Sequence, residues 1–322
     1  RQRQMCIRDR CVPWIIPRME PLFNFQLKIV YPLEKHKMPF VDAGEIKLNY
    51  VEHGSGDNIT VFIHGFLSCV QWMDLVWPKL PDNLHVFAID WRGCGDSDKP
   101  AATDNFANYS LKQHAQDMLA AIKSLGIKKC SFATHSTGGA ISLYMMLAEP
   151  EMFDKVLALD PVSPTGLMLP DEALHVFEPF AGSRNYAFKF LSFAASSLFT
   201  KESLVPGVKS EFRPETTTEQ RELFNLLVDK ARELSDGAGT GTLYHLKKER
   251  DEGSLQRETR LIKQHMLVLW GEDDLVIPRQ DIETTIKLLP NSTLQTYKGI
   301  GHSMVLENPD LYAKVFSEYF SK

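Results

Sequence analysis

The sequence predicts an α/β fold, a mostly parallel sheet flanked by helices, with a helical cap inserted late in the chain. Three observations carry that prediction. Apolar runs of about five residues recur, and each ends in a polar or glycine-containing turn. Helical patterns lie between them, which is the order a parallel sheet with crossover helices requires. The alternation then stops for about a hundred residues and resumes, too long a gap for a loop inside a compact domain. At 322 residues, with 43% apolar and 24% charged side chains, the chain can bury a large core and carry such an insertion.

Taken in order, residues 1–37 stand apart: RQRQMCIRDR has no apolar period, and CVPWIIPR is broken by Pro13 and Pro17. They read as a non-core extension, with Met38 or Met19 as candidate native starts. The basic start and short apolar stretch are followed by no small-residue cleavage site, so a secretory leader is disfavoured. Residues 46–51 alternate apolar and polar as a half-buried strand does, while 59–63, 86–90, 130–133, 156–160, 266–270 and 293–297 read as short buried strands. The clearest helix is 110–125, with Leu111, Ala115, Met118, Leu119 and Ile122 on one face, Ser110 as N-cap and Gly126 as stop. A second, apolar helix covers 140–148, and a terminal helix follows the last strand. The expected domains are a core of 38–162 and 264–322 and a helical cap of 163–263. Within the cap, Phe177, Phe180, Tyr186, Phe188, Phe190, Phe193 and Phe199 should form its core, some of them facing the cleft. The charge-dense stretch 216–260 reads as a solvated helical face, and Gly237-Ala238-Gly239-Thr240-Gly241 as a flexible loop.

Composition removes several functions. The net charge is −5, and residues 1–37 hold eight of the 36 basic and three of the 41 acidic side chains, so the remainder stands at −10. Such an acidic body has no excess of Lys and Arg to neutralise nucleic-acid phosphates. The longest apolar run, 141–148, falls far short of the ~18 residues of a membrane-spanning helix. Cys6, Cys11, Cys69, Cys94 and Cys130 form no C-x-x-C pair and make a poor disulfide framework, which favours reduced thiols and a cytoplasmic setting. Three glycosylation-type triplets begin at Asn58, Asn108 and Asn291, and matter only for a secreted chain. The stretch 93–99 lacks the spacing of a phosphate loop, and no metal or organic cofactor is called for.

The chemistry gathers at strand ends. Strand 130–133 runs into Thr134-His135-Ser136-Thr137-Gly138-Gly139 and then a helix, so Ser136 sits where a sharp strand-to-helix turn lifts a nucleophile clear of the sheet. Thr134 stands where the usual G-x-S-x-G pattern has its first glycine, which predicts added strain. Strand 59–63 ends in His64-Gly65-Phe66-Leu67, and the backbone N–H groups of Phe66 and Thr137 are candidates for an oxyanion hole, with His64 structural. Strand 266–270 leads into Glu272-Asp273-Asp274, and Asp274, four residues before Pro278, ranks first as the acid, with Asp273 second. After strand 293–297 comes Gly301-His302-Ser303, and His302 is the candidate base.

The order Ser136, Asp274, His302, each after a strand, resembles the α/β-hydrolase superfamily over residues 40–322. Asp90-Trp91-Arg92-Gly93-Cys94-Gly95-Asp96-Ser97 is similar to that family's D-x-R-G-x-G-x-S loop, and Leu159-Asp160-Pro161 to the strand end from which caps emerge. The nucleophile motif is similar to that of cofactor-free haloperoxidase-like esterases. The resemblance implies a serine hydrolase that cleaves small-molecule carboxylic esters, with an apolar or aromatic group, through a Ser-His-Asp triad and an acyl-enzyme. A serine here departs from the dehalogenase and epoxide hydrolase branches, which use a carboxylate nucleophile. Two alternatives stay open: hydrolysis of a carbon–carbon bond in ring-cleavage products, and a ligand receptor on the same scaffold. Deleting residues 1–37 should leave activity and melting temperature largely unchanged; a drop in melting temperature by circular dichroism would show that the segment packs on the core.

Overall fold

A computed structural model describes residues 39–175 and 177–321. The extension 1–37, both candidate starts, Cys6 and Cys11 lie outside the described residues. Eight strands form one sheet: β1 (Phe40–Ala43), β2 (Ile46–His53), β3 (Ile59–Ile63), β4 (His85–Ile89), β5 (Cys130–His135), β6 (Phe153–Leu159), β7 (His265–Gly271) and β8 (Ser292–Tyr297), in the order β1-β2-β4-β3-β5-β6-β7-β8. The β1–β2 and β2–β4 pairs are antiparallel and the other five are parallel. The seven predicted strands are present, with ends displaced by up to three residues. β1 was not predicted: four residues with alternating burial give too short a period to register, and the strand is defined by its pairing across the Gly44 turn.

The strand order places the chemistry. The chain leaves β3 towards β4 on one side and β5 towards β6 on the other, so a crevice opens beyond the carboxyl ends of β3 and β5. His64 follows one of those strands and Ser136 the other. β5 is buried along its whole length, as a central strand covered on both faces must be.

Helix α1 (Leu111–Ser124) starts as expected, with Ser110 Oγ accepting the Gln113 N–H at 3.1 Å. Helix α2 (Thr137–Ala148) begins three residues earlier than predicted, directly after Ser136, and only its last two residues reach solvent. The D-x-R-G-x-G-x-S loop is a structural knot. Asp90 accepts the Val70 N–H and the Asn49 Nδ2–H, each at 2.7 Å, and Ser97 Oγ donates to Asp90 O at 2.6 Å.

Between β6 and β7 the chain forms α3 (Phe177–Gly182), α4 (Arg184–Ala194), α5 (Thr218–Arg232), α6 (Thr242–Glu252) and α7 (Ser254–Glu258), while α8 (Arg279–Leu288), α9 (Met304–Glu307) and α10 (Pro309–Phe320) follow β7. The inserted helices hold an aromatic cluster in which Phe188, Phe199, Phe212 and Phe224 meet with ring centroids 4.4–5.8 Å apart. α5 opens on a reciprocal cap: Thr217 Oγ1 accepts the Gln220 N–H and Gln220 Oε1 the Thr217 N–H. The expectation of a flexible loop at 237–241 is corrected. This stretch is one turn of π-helix leading into α6, and four of its five residues are buried. The glycines allow rings to lie on the backbone: a β-carbon at Gly237 would come within 2.2 Å of the Tyr109 ring.

Arg92 anchors the loop to α1. It forms a two-pronged pair with Asp117, including Nη2 to Oδ1 at 2.7 Å, and Nη1 donates to Asn108 O at 2.7 Å. Their side chains are only 9% and 4% exposed, so removing one partner strands a buried charge. Asp117→Ala should cost about 3–5 kcal/mol in urea denaturation. A loss below ~1 kcal/mol would put the pair with solvated surface bridges instead.

Candidate active site

Ser136 is held in a backbone conformation that side-chain-bearing residues seldom adopt, φ 52° and ψ −119°. Three backbone bonds keep it there. Its N–H donates to Leu159 O at 3.0 Å, and its carbonyl accepts from the N–H groups of Gly139 at 2.9 Å and Val162 at 3.1 Å. The next turn is wedged under β3: a β-carbon on Gly138 would lie 2.2 Å from Ile63 O, so only glycine fits. The strain expected at Thr134 is absent. Thr134 is an ordinary strand residue paired with Ile63 and Ala158, because the turn begins two residues later and the distortion falls on Ser136 itself.

Both candidate oxyanion donors flank this turn. Thr137 is the first residue of α2, so its N–H has no partner inside the helix. Gly65, just before Phe66, faces the serine so closely that a β-carbon there would be 2.9 Å from Ser136 Cβ. His64 itself is buried. Its Nδ1 lies between Trp91 Nε1, a donor 2.8 Å away, and the Gly65 carbonyl, an acceptor 2.9 Å away. Burial pushes its pKa down to about 3, and it stays neutral.

Of the three acids after β7, Asp274 is the one that meets the histidine. Its Oδ2 accepts from His302 Nδ1 at 2.8 Å, and its Oδ1 accepts the N–H groups of Val276 at 2.6 Å and Ile277 at 2.9 Å. The two side chains are 0% and 4% exposed. Asp273 contributes backbone only: its N–H donates to Ile300 O and its carbonyl accepts from Ser196 Oγ at 2.8 Å. Glu272 accepts from Thr296 Oγ1 at the surface.

Three further residues surround His302. His135 Nε2–H donates to His302 O at 2.8 Å, the two rings have centroids 4.8 Å apart, and burial holds the His135 pKa well below the usual imidazole value. This contact brings the base loop against the nucleophile turn. Glu307, at the end of α9, takes three backbone N–H groups: Ser197 at 2.8 Å on Oε1, and Gly301 at 2.8 Å and Ser303 at 3.2 Å on Oε2. It brackets His302 and reaches into the inserted helical segment. Burial pushes its carboxyl up to about 7, an effect that the N–H donors only partly offset. The available signal was an acid closing the apolar run Met304-Val305-Leu306. The third residue is Asp160, which follows β6. One side-chain atom each of Asp160, Asp274 and His302 lies within 4.8 Å of the others, the one group among the described residues compact enough to hold an ion. Within it, His302 and Asp274 already share a hydrogen bond.

Residues 59–309 match the family model described as alpha/beta hydrolase fold. Among curated proteins the chain is similar to epoxide hydrolase 2 of Caenorhabditis elegans, 21% identical over 304 residues, covering 90% of this chain and 82% of that protein. It is also similar to a non-heme chloroperoxidase of Streptomyces lividans, 27% identical over 281 residues, covering 83% and 95%. Among solved structures, an esterase from Exiguobacterium antarcticum superposes with a TM-score of 0.69 at 22% identity over 88% of this chain and 99% of that one, a likeness of fold.

The raised Glu307 pKa has a sign that can be measured. Between the free value of 4.5 and the buried value of about 7, the folded state keeps a proton that the unfolded chain has lost. Its contribution is therefore complete below pH 4.5 and declines as pH rises towards 7. Urea denaturation at half-unit steps from pH 4.5 to 7.5 should show a shallower fall of stability for Glu307→Gln than for the wild type; parallel curves would mean that Glu307 does not titrate there.

Proposed function

The chain belongs to the α/β-hydrolase family, and on that premise we propose that it is a serine hydrolase of carboxylic esters, with Ser136 as nucleophile, His302 as base and Asp274 as acid. The observation that carries this reading is the strained Ser136 turn beside a desolvated His302–Asp274 pair. A backbone distortion of this kind costs ~1–3 kcal/mol and is retained where it serves chemistry. A serine at this position also supports this reading. Epoxide hydrolases and haloalkane dehalogenases of this fold place a carboxylate at this position, so the similarity to an epoxide hydrolase is one of frame.

In the proposed reaction, His302 Nδ1–H stays with Asp274, which leaves Nε2 free to take the Ser136 Oγ proton. Oγ attacks the carbonyl carbon, and the resulting oxyanion is held by the N–H groups of Phe66 and Thr137. As the tetrahedral species collapses, the bond to the alkoxy oxygen breaks and His302 gives its proton to the departing alcohol. Water then passes a proton to His302 and attacks the acyl carbon, and as the bond to Oγ breaks His302 returns the proton to Ser136 and the acid departs. We read 163–263 as the cap over this site. Phe177 and Phe180 lie within its buried aromatics, which suits a substrate with an apolar or aromatic group. Cys69, Cys94 and Cys130 are free and buried, which supports a reducing, cytoplasmic setting. No helix among the described residues is long and apolar enough to cross a membrane.

A fluorophosphonate should label the protein at Ser136, Ser136→Ala should abolish the label, and His302→Ala should slow it on the order of 10²-fold or more. A series of p-nitrophenyl esters of increasing acyl length should then show turnover. Labelling without ester turnover would favour carbon–carbon bond hydrolysis; a well-folded protein that does not label would favour a receptor.

A further inference from the structure

Asp160 is the carboxyl that the proposed mechanism leaves unused. It is fully buried at the end of β6, with φ 42°, a left-handed conformation that Asp tolerates better than most residues. Its backbone N–H donates to Leu269 O at 2.8 Å and its Oδ1 accepts the Gly271 N–H at 3.0 Å, so it is tied to the end of β7, three residues before Asp274. Oδ2 has no hydrogen-bond partner among the described residues. The side chain nonetheless sits with Asp274 and His302 in a group whose nearest ligand atoms are within 4.8 Å.

We infer that Asp160 is a second acid for the same base, a positioning residue that stays protonated beside Asp274 and engages His302 when Asp274 is lost. The inference rests on the serine-hydrolase reading for the role of His302. The asymmetry between the two carboxyls is one of donors. Asp274 collects three N–H groups, two of them from backbone and one from the imidazole, and these stabilise its charge. Asp160 collects one, and the groups facing it are Asp274 from the β7 turn, Glu307 from α9 and His302 from the loop between them. Two neighbouring buried carboxylates cannot both carry charge cheaply, and the one with fewer donors keeps the proton. Burial, followed by the charge of Asp274, accordingly holds the Asp160 carboxyl well above the usual range. When Asp274 is removed the largest opposing charge goes with it. Asp160 can then ionise, and its free Oδ2 is the acceptor available to His302 Nδ1–H.

The test reads the rate of fluorophosphonate labelling at Ser136, which needs no knowledge of the substrate, in wild type, Asp160→Asn, Asp274→Ala, Asp274→Asn and the Asp160→Asn/Asp274→Ala double variant. Where a triad acid is the sole support of its histidine, replacing it costs about 10⁴-fold. Asp274→Ala should lose only about 10- to 100-fold, and its rate should climb with pH over a higher range than wild type, as Asp160 ionises. The double variant should fall to the full ~10⁴-fold loss. Asp274→Asn should lie below Asp274→Ala, since the amide can hold the imidazole in the wrong tautomer. Equal rates for Asp274→Ala and the double variant would overturn the inference. Should the Asp274 variants fail to fold, an infrared difference spectrum of wild type minus Asp160→Asn at pH 7 decides: a protonated-carboxyl C=O band supports the inference and its absence overturns it. An unlabelled wild type would instead count against the serine-hydrolase reading, and the infrared band would still report on Asp160.

Discussion

The structure around the site turns on one constraint: three carboxyls, Asp160, Asp274 and Glu307, are buried about a single imidazole. Charge in such a place is costly unless hydrogen-bond donors are aimed at it. The fold supplies those donors from backbone. The Val276 and Ile277 N–H groups serve Asp274, those of Ser197, Gly301 and Ser303 serve Glu307, and that of Gly271 serves Asp160. Each of these amides belongs to the end of a strand, to a turn after one or to the inserted helical segment. The loops are therefore as fixed as the sheet, because moving any of them would leave a buried acid without its donors.

Parallel pairing is what brings these turns to one edge. β3, β5, β6, β7 and β8 all run the same way, so the segments that follow them emerge side by side. The order β4-β3-β5 then opens the crevice where the Gly65 turn meets Ser136. Close approach is achieved by subtraction: Gly65 and Gly138 lack the atoms that would collide with Ser136 Cβ and Ile63 O. A strained serine at that point is tolerated because Leu159, Gly139 and Val162 over-determine its backbone.

What the sequence made legible follows from this geometry. Strands buried on both faces announce themselves as apolar runs, and residues placed at their ends can be named from order alone, as Ser136, Asp274 and His302 were. β1 escaped because four alternating residues carry too little periodicity. The 237–241 segment was misread because glycine signals both mobility and close packing, and only the Tyr109 ring beside it distinguishes the two. His135, Asp160 and Glu307 escaped for another reason. Their partners are backbone groups 4 to 167 residues away in sequence, and a side chain's bond to such an amide or carbonyl leaves no pattern in the chain.

The inserted segment is bound to the chemistry through the same amides. Ser196 Oγ donates to the carbonyl of Asp273, one residue before the acid, and the neighbouring Ser197 N–H donates to Glu307, which also holds both residues flanking His302. Gln220 adds a second tie from α5, donating through Nε2 to Leu306 O and Glu307 O. A displacement of this segment would therefore pull on the acid turn and the base loop together. It would also strip a donor from Glu307, a carboxyl already poised near neutrality. The inserted segment and the charge held beside His302 are thus coupled by two adjacent serines, which makes residues 196–197 part of the candidate site's electrostatics.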